Sequence, residues 1–158
     1  MKILLLTDLI GQEIAGIRYR YTPETDAEYS VQSSTSYLKL ANNNIIRIPN
    51  SDDNEFLQPG PESLTYFREN FDNGSECSPN VNRLVEGQTI IDILFCYDGD
   101  EPDYERSAYL KLSNGYYLTE RNAAPVGLYV GPMILNEEEF SAEKRRLAKL
   151  NIDTRSFS

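Results

Sequence analysis

Histidine and tryptophan are missing from this 158-residue chain, and cysteine occurs only twice, as Cys77 and Cys96. Without histidine there can be no Ser-His or Cys-His nucleophilic pair and no imidazole metal ligand. The two cysteines lack paired metal-type spacing, so two free thiols in a reducing compartment are expected instead of a disulfide framework. Cys77 follows Glu76 and has no basic neighbour of the kind that activates a thiolate. No glycine-rich phosphate loop and no nucleophile-elbow pattern occurs. Long apolar runs are also missing. The Ile3–Leu6 run ends at Thr7-Asp8, short of a signal-peptide core, and no stretch approaches the ~20 residues of a membrane span. A cytoplasmic protein without catalytic residues, bound metal or cofactor is the expectation.

Basic residues are in deficit. Fifteen Lys and Arg face 25 Asp and Glu, for a formal charge of −10. That balance opposes binding to a phosphate backbone or an anionic membrane and attracts a basic partner. The 40% apolar content supplies one core, so residues 1–158 are expected to form one domain.

The chain resembles itself. GQEIAGIRYRY at 11–21 and GQTIIDILFCY at 87–97 share five of eleven positions, and YLKLANNNIIRI at 37–48 shares five with YLKLSNGYYLTE at 109–120. The offset falls from 76 to 72, so the second copy has a connector four residues shorter. An internal repeat spanning 11–48 and 87–120 follows. β-Branched and aromatic residues alternate in both copies, as strands require. Strict alternation puts Ala15, Ile17, Tyr19 and Tyr21 on one face of the first strand. It puts Ile91, Ile93, Phe95 and Tyr97 on the core face of the second, with Ile90, Leu94 and Cys96 also apolar behind them, so this strand is expected to be covered on both sides. In the hairpins, a three-residue loop with Asn43 or Gly115 left-handed pairs Leu38 with Ile46 and Leu110 with Leu118, and Leu112 with Tyr116.

Two helices complete the pattern. Pro61 suits a first helical position, and Leu64, Phe67 and Phe71 form a stripe over 61–71. Asn136 caps a segment near 137–150 with Glu137, Glu138 and Glu139 at its start and Lys144, Arg145, Arg146 and Lys149 later, in the order that suits the helix dipole. Phe140, Leu147 and Leu150 anchor it on a sheet surface. The predicted fold is α+β: an antiparallel sheet, or two packed half-sheets, built from two β-hairpin repeats with two short helices on it.

Asp98, Asp100, Glu101, Asp103, Tyr104 and Glu105 form the one dense acidic segment. A calcium loop would need its glycine elsewhere and a terminal bidentate Glu. The segment reads either as a solvated turn or as a protein-binding surface that combines steering charge with an aromatic anchor. Tyr116, Tyr117 and Tyr129 are candidates for an exposed aromatic patch, and Lys111 with Tyr109 for a solvent-facing side of the second hairpin. An Asp92–Glu120 carboxylate pair is conceivable but expected by chance in so acidic a chain.

GQEIAGIRYRY, YLKLANNNIIRIPNSDDNEF and YLKLSNGYYLTERNAAPVGLYVGPMILN together resemble the small immunity proteins encoded beside bacterial polymorphic or contact-dependent toxins, over most of residues 10–136. The resemblance lies in strand-and-turn texture. It implies a cytoplasmic inhibitor that binds its cognate toxin domain, often a basic nuclease, and blocks it. It transfers no contact residues. A small-ligand binding domain using the space between the repeats, or an adaptor without catalytic activity, is the alternative, and homo-oligomeric state is left open.

Overall fold

The computed structural model describes residues 5–23, 32–51, 61–72, 77–103, 106–121 and 131–157. Strands β1 (Ile14–Pro23), β2 (Gln32–Leu40) and β3 (Ile45–Arg47) form an antiparallel sheet in that order, after a one-turn helix α1 (Leu6–Leu9). Helices α2 (Pro61–Asn70) and α3 (Pro79–Val85) follow. The second sheet contains β4 (Ile90–Asp98), β5 (Glu101–Pro102), β6 (Tyr109–Leu112), β7 (Tyr117–Arg121), β8 (Gly131–Leu135) and, after helix α4 (Glu137–Ala148), β9 (Ile152–Ser156). Its path is β5-β4-β6-β7-β8, with β9 on β4 as well. Both sheets are antiparallel and open, so the α+β class read from the sequence holds.

The two hairpins share one register around the bulge of their first strand. In β1–β2 the register runs Ile14↔Leu40, Gly16↔Lys39, Ile17↔Leu38. In β4–β6 it runs Ile90↔Leu112, Asp92↔Lys111, Ile93↔Leu110. Each first strand carries a bulge at the same place, and each hairpin loop has its left-handed residue where the parity argument put it, Asn43 at φ 71° and Gly115 at φ 88°. The bulge corrects the strict alternation. One extra residue switches the face, so Ile14 and Ile17 are both buried while Ala15 is exposed. Likewise Ile90 and Ile93 are buried, and Ile91, expected in the core, is 45% exposed.

The strand starts also exchange main-chain bonds. Gly11 N donates to Ile90 O (2.8 Å) and Gly87 N to Ile14 O (2.8 Å); Ile14 N donates to Gln88 O (2.8 Å) and Ile90 N to Gln12 O (3.0 Å). Between them lies the Glu13–Thr89 bridge.

The apolar residues sort into layers. Ile17, Leu38, Leu40 and Ile46 of the first sheet share one buried cluster with Ile93, Phe95, Leu110 and Leu118 of the second, closed by Leu6 and Leu9 of α1 and Val85 of α3. On the far side of the first sheet, Tyr37 and Ile45 pack with Phe67 and Phe71 of α2. On the far side of the second, Cys96, Tyr109, Tyr117 and Leu135 pack with Phe140 and Leu147 of α4. β4 is therefore covered on both faces, as expected. Burying each of these side chains contributes about 1.5–3 kcal/mol, and together they fix the helices on the outside. At α4 the start is a capping box: Glu139 N donates to Asn136 Oδ1 (2.8 Å) and Asn136 N to Glu139 Oε1 (3.1 Å). Leu150, expected as its third anchor, falls past the helix end and is 53% exposed.

Candidate functional site

The acidic segment is a hairpin turn. Asp98 pairs with Glu101 and Tyr97 with Pro102 across the two-residue loop Gly99-Asp100, and Gly99 adopts the positive φ (66°) such a turn needs. β9 fixes the turn from the other edge of β4. There Arg155 donates through Nη2 to Gly99 O (2.8 Å), pairs through Nε with Asp153 (3.2 Å), and stacks its guanidinium 4.5 Å from the Tyr97 ring centre. Asp98, Asp100 and Glu101 all face solvent.

The other members behave differently. Asp103 is folded back: its N donates to Cys96 O (2.8 Å), and its carboxylate, only 10% exposed, meets Arg106 Nη1 at 3.0 Å. It is a structural acid and belongs to no exposed cluster. Tyr104 and Glu105 lie outside the described residues, as does Tyr129. Among the described residues no group of three or more Cys, Asp or Glu side chains is placed to hold a metal ion.

The aromatic patch is corrected. Tyr117 is 4% exposed and stacks on Phe140 with ring centres 3.8 Å apart and planes 10° from parallel. Its hydroxyl donates to Glu137 Oε2 (3.0 Å), and burial with that acceptor pushes its pKa up to about 12. Tyr109 is also buried instead of solvent-facing, edge-on to Phe140 at 5.3 Å, with its hydroxyl on Glu143 (3.3 Å). Desolvation, then the Glu143 charge, raises its pKa well above the ordinary value. Both phenols stay protonated at neutral pH, and burial likewise raises the Cys96 thiol. The sequence missed this because a strand tyrosine facing a helix and one facing water look the same until the helix is placed. Tyr116 is half-buried at the hairpin loop. It also lies far from the acidic turn: Leu112, next to that loop, pairs with Ile90, eight residues along β4 from Asp98, or about 26 Å at the usual ~3.3 Å per residue.

Asp92 and Glu120 do not pair. Asp92 accepts from the Ser156 hydroxyl (2.8 and 2.6 Å). Glu120, on β7 of the second sheet, reaches the first sheet and accepts from Ser36 N of β2 through Oε2 (2.7 Å). Desolvation raises its pKa, opposed by the Ser36 hydrogen bonding and the Arg47 charge. Ser36 lies one residue beyond the β2–β3 register, which starts at Tyr37↔Arg47, so the carboxylate takes up a donor that the short β3 leaves behind.

α1, α3, β8 and β9 were not read from the sequence. For β9 a signal existed: the β-branched Ile152 and Thr154 alternate with the charged Asp153 and Arg155, but the run follows the helix too closely to stand out. It places Asp153 and Arg155 beside the turn, where no sequence argument had put them. Among the described residues no helix is long and apolar enough to cross a membrane. Comparison with protein-family models, curated proteins and solved structures yields no match.

Proposed function

We propose that this protein is a cytoplasmic immunity-type inhibitor that acts by binding a basic toxin domain, and that the β4–β5 turn is part of the contact surface. The observation that carries the reading is the exposure of Asp98, Asp100 and Glu101 on a turn whose Gly99 carbonyl accepts from Arg155, with Asp153 next to them. Loose acidic loops are common; this one is stapled by a side chain from another strand, so its charge is displayed at a fixed place. Charge displayed in that way speeds encounter with a partner of opposite sign and fixes its orientation. The exposed turn is the steering element, and Tyr117 has no part in it. The strand-and-turn resemblance to immunity proteins supplies the class of partner.

The test is complex formation with the toxin domain encoded beside this gene, together with protection of cells that express that domain. No complex and no protection overturns the proposal. The charge component is tested with Asp98→Asn, Asp100→Asn and Glu101→Gln combined. Association slows about 10-fold at low salt, and the two proteins' rates converge near 1 M salt, where the Debye length is about 3 Å. Asp103→Asn, whose charge is already opposed by Arg106, leaves the salt dependence of association nearly as it was. An equal salt slope for the triple variant and the wild type removes the turn from the interface.

A further inference from the structure

Among the described residues, one side of β9 has no strand partner. Phe157 N donates to Ile93 O (2.7 Å), and the register runs without a shift from Leu94↔Ser156 to Asp98↔Ile152. Antiparallel pairing alternates, so Asp153 and Arg155 turn their main-chain groups to β4 while Ile152 and Thr154 turn theirs outward. Among the described residues β4 is the only strand paired with β9. An open edge of this kind is a template for another strand.

The side chains specify which strand fits. Asp153 and Arg155 stand two apart on one face, with side chains 66% and 44% exposed. If a second β9 runs antiparallel about a two-fold axis through Thr154, Asp153 of each copy lies opposite Arg155 of the other, and the Thr154 pair exchanges two main-chain bonds. Opposite charges directly across an antiparallel pair are favourable. Among the described residues, two of the four exposed large apolar side chains bracket the same strand, Leu150 before it and Phe157, 37% exposed, after it. The two-fold pairing brings the end carrying Leu150 against the end carrying Phe157. A self-complementary patch of this sort is what an isologous contact needs.

We infer that the outer edge of β9 is a self-association surface, through which two copies of this chain join their second sheets into one continuous antiparallel sheet. A basic foreign strand is the competing occupant. It would meet Asp153 favourably but Arg155 unfavourably, whereas a second β9 matches both.

The experiment uses the full chain, with mass measured by light scattering or sedimentation across a concentration series. The wild type reaches twice its 18.0 kDa monomer mass. Thr154→Pro removes an outward N–H that β4 does not use, a position where an edge strand tolerates proline, and the dimer is lost. Asp153→Arg and Arg155→Asp each weaken dimerisation about 10-fold by placing like charges across the axis. The double variant Asp153→Arg/Arg155→Asp restores it to within about threefold, since the swap regenerates both opposed pairs. Circular dichroism confirms that each variant is folded, and the two charge variants decide the matter if the proline variant is not. Overturning results are a monomer at every concentration, a dimer indifferent to these three substitutions, or a folded double variant that stays as weak as the single ones. A wild-type monomer that gains a strand only from a basic peptide likewise overturns self-association in favour of the foreign occupant.

Discussion

Phe140→Ala lowers the free energy of unfolding by about 3–5 kcal/mol, the usual cost of emptying a buried aromatic site. The Phe140 ring packs on both Tyr117, stacked at 3.8 Å, and Tyr109, edge-on at 5.3 Å. Removing its ring opens a cavity between helix and sheet and loosens the register that brings Glu137 and Glu143 to the two tyrosine hydroxyls. Against a typical total of about 5–15 kcal/mol this is a severe loss. Urea denaturation measures it, and a Tyr117→Leu cycle separates the stacking contribution, about 0.5–1.5 kcal/mol, from the cavity. Ile91→Ala is the control, since that side chain is 45% exposed and lies outside the helix contact, so its loss changes the midpoint little. A Phe140→Ala protein within about 1 kcal/mol of the wild type would falsify the anchoring role of the helix.

The second large effect concerns Glu120. Glu120→Ala strands the Ser36 N–H between the sheets and costs about 1.5–3 kcal/mol, the range for a hydrogen bond to a charged group. Glu120→Gln keeps an oxygen to accept that bond and removes the charge. Its effect depends on pH, with a sign opposite to that of a salt-bridged acid. Burial raises the folded-state pKa above the ordinary 4.5, so between those values the folded protein binds more protons than the unfolded chain. Stability contributed by this group is then full below 4.5 and is lost as pH rises through the folded value. The expected result is that Glu120→Gln gains on the wild type as pH rises from 4 to 7, and that the gain vanishes in acid. Paired denaturation curves across that range check this, and a difference independent of pH contradicts a desolvated carboxylate.

What could be read from the residues was whatever depends on local periodicity and turn chemistry. Leu38↔Ile46 and Leu110↔Leu118, with Asn43 and Gly115 left-handed, follow from parity and from which residues accept positive φ. The Asn136 cap and the Pro61 start follow from end-group hydrogen bonding. The misses are equally physical. The bulge beside Ile91 is one extra residue in the ladder and leaves no mark on an alternating sequence, yet it inverts a face. Tyr117 and Tyr109 were read as exposed because the layer covering them comes from a helix 20 to 30 residues on. Asp103 was counted with the free acids because its pairing with Arg106, three residues on, shows only in the folded chain. Asp98, Asp100 and Glu101 were legible as charge, whereas their fixation by Arg155 needed β9 in place.

The reciprocal bonds around the Glu13–Thr89 bridge also bear on how the chain folds. Either hairpin can close alone, since its strands are near neighbours in sequence. The bonds from Gly11 to Ile90 and from Gly87 to Ile14 cannot form until a loop of more than 70 residues has been closed, and that entropy must be spent before the contact returns anything. Each hairpin thus waits for the other to complete its first strand. The expected result is single-exponential refolding paced by that non-local closure, which stopped-flow refolding checks.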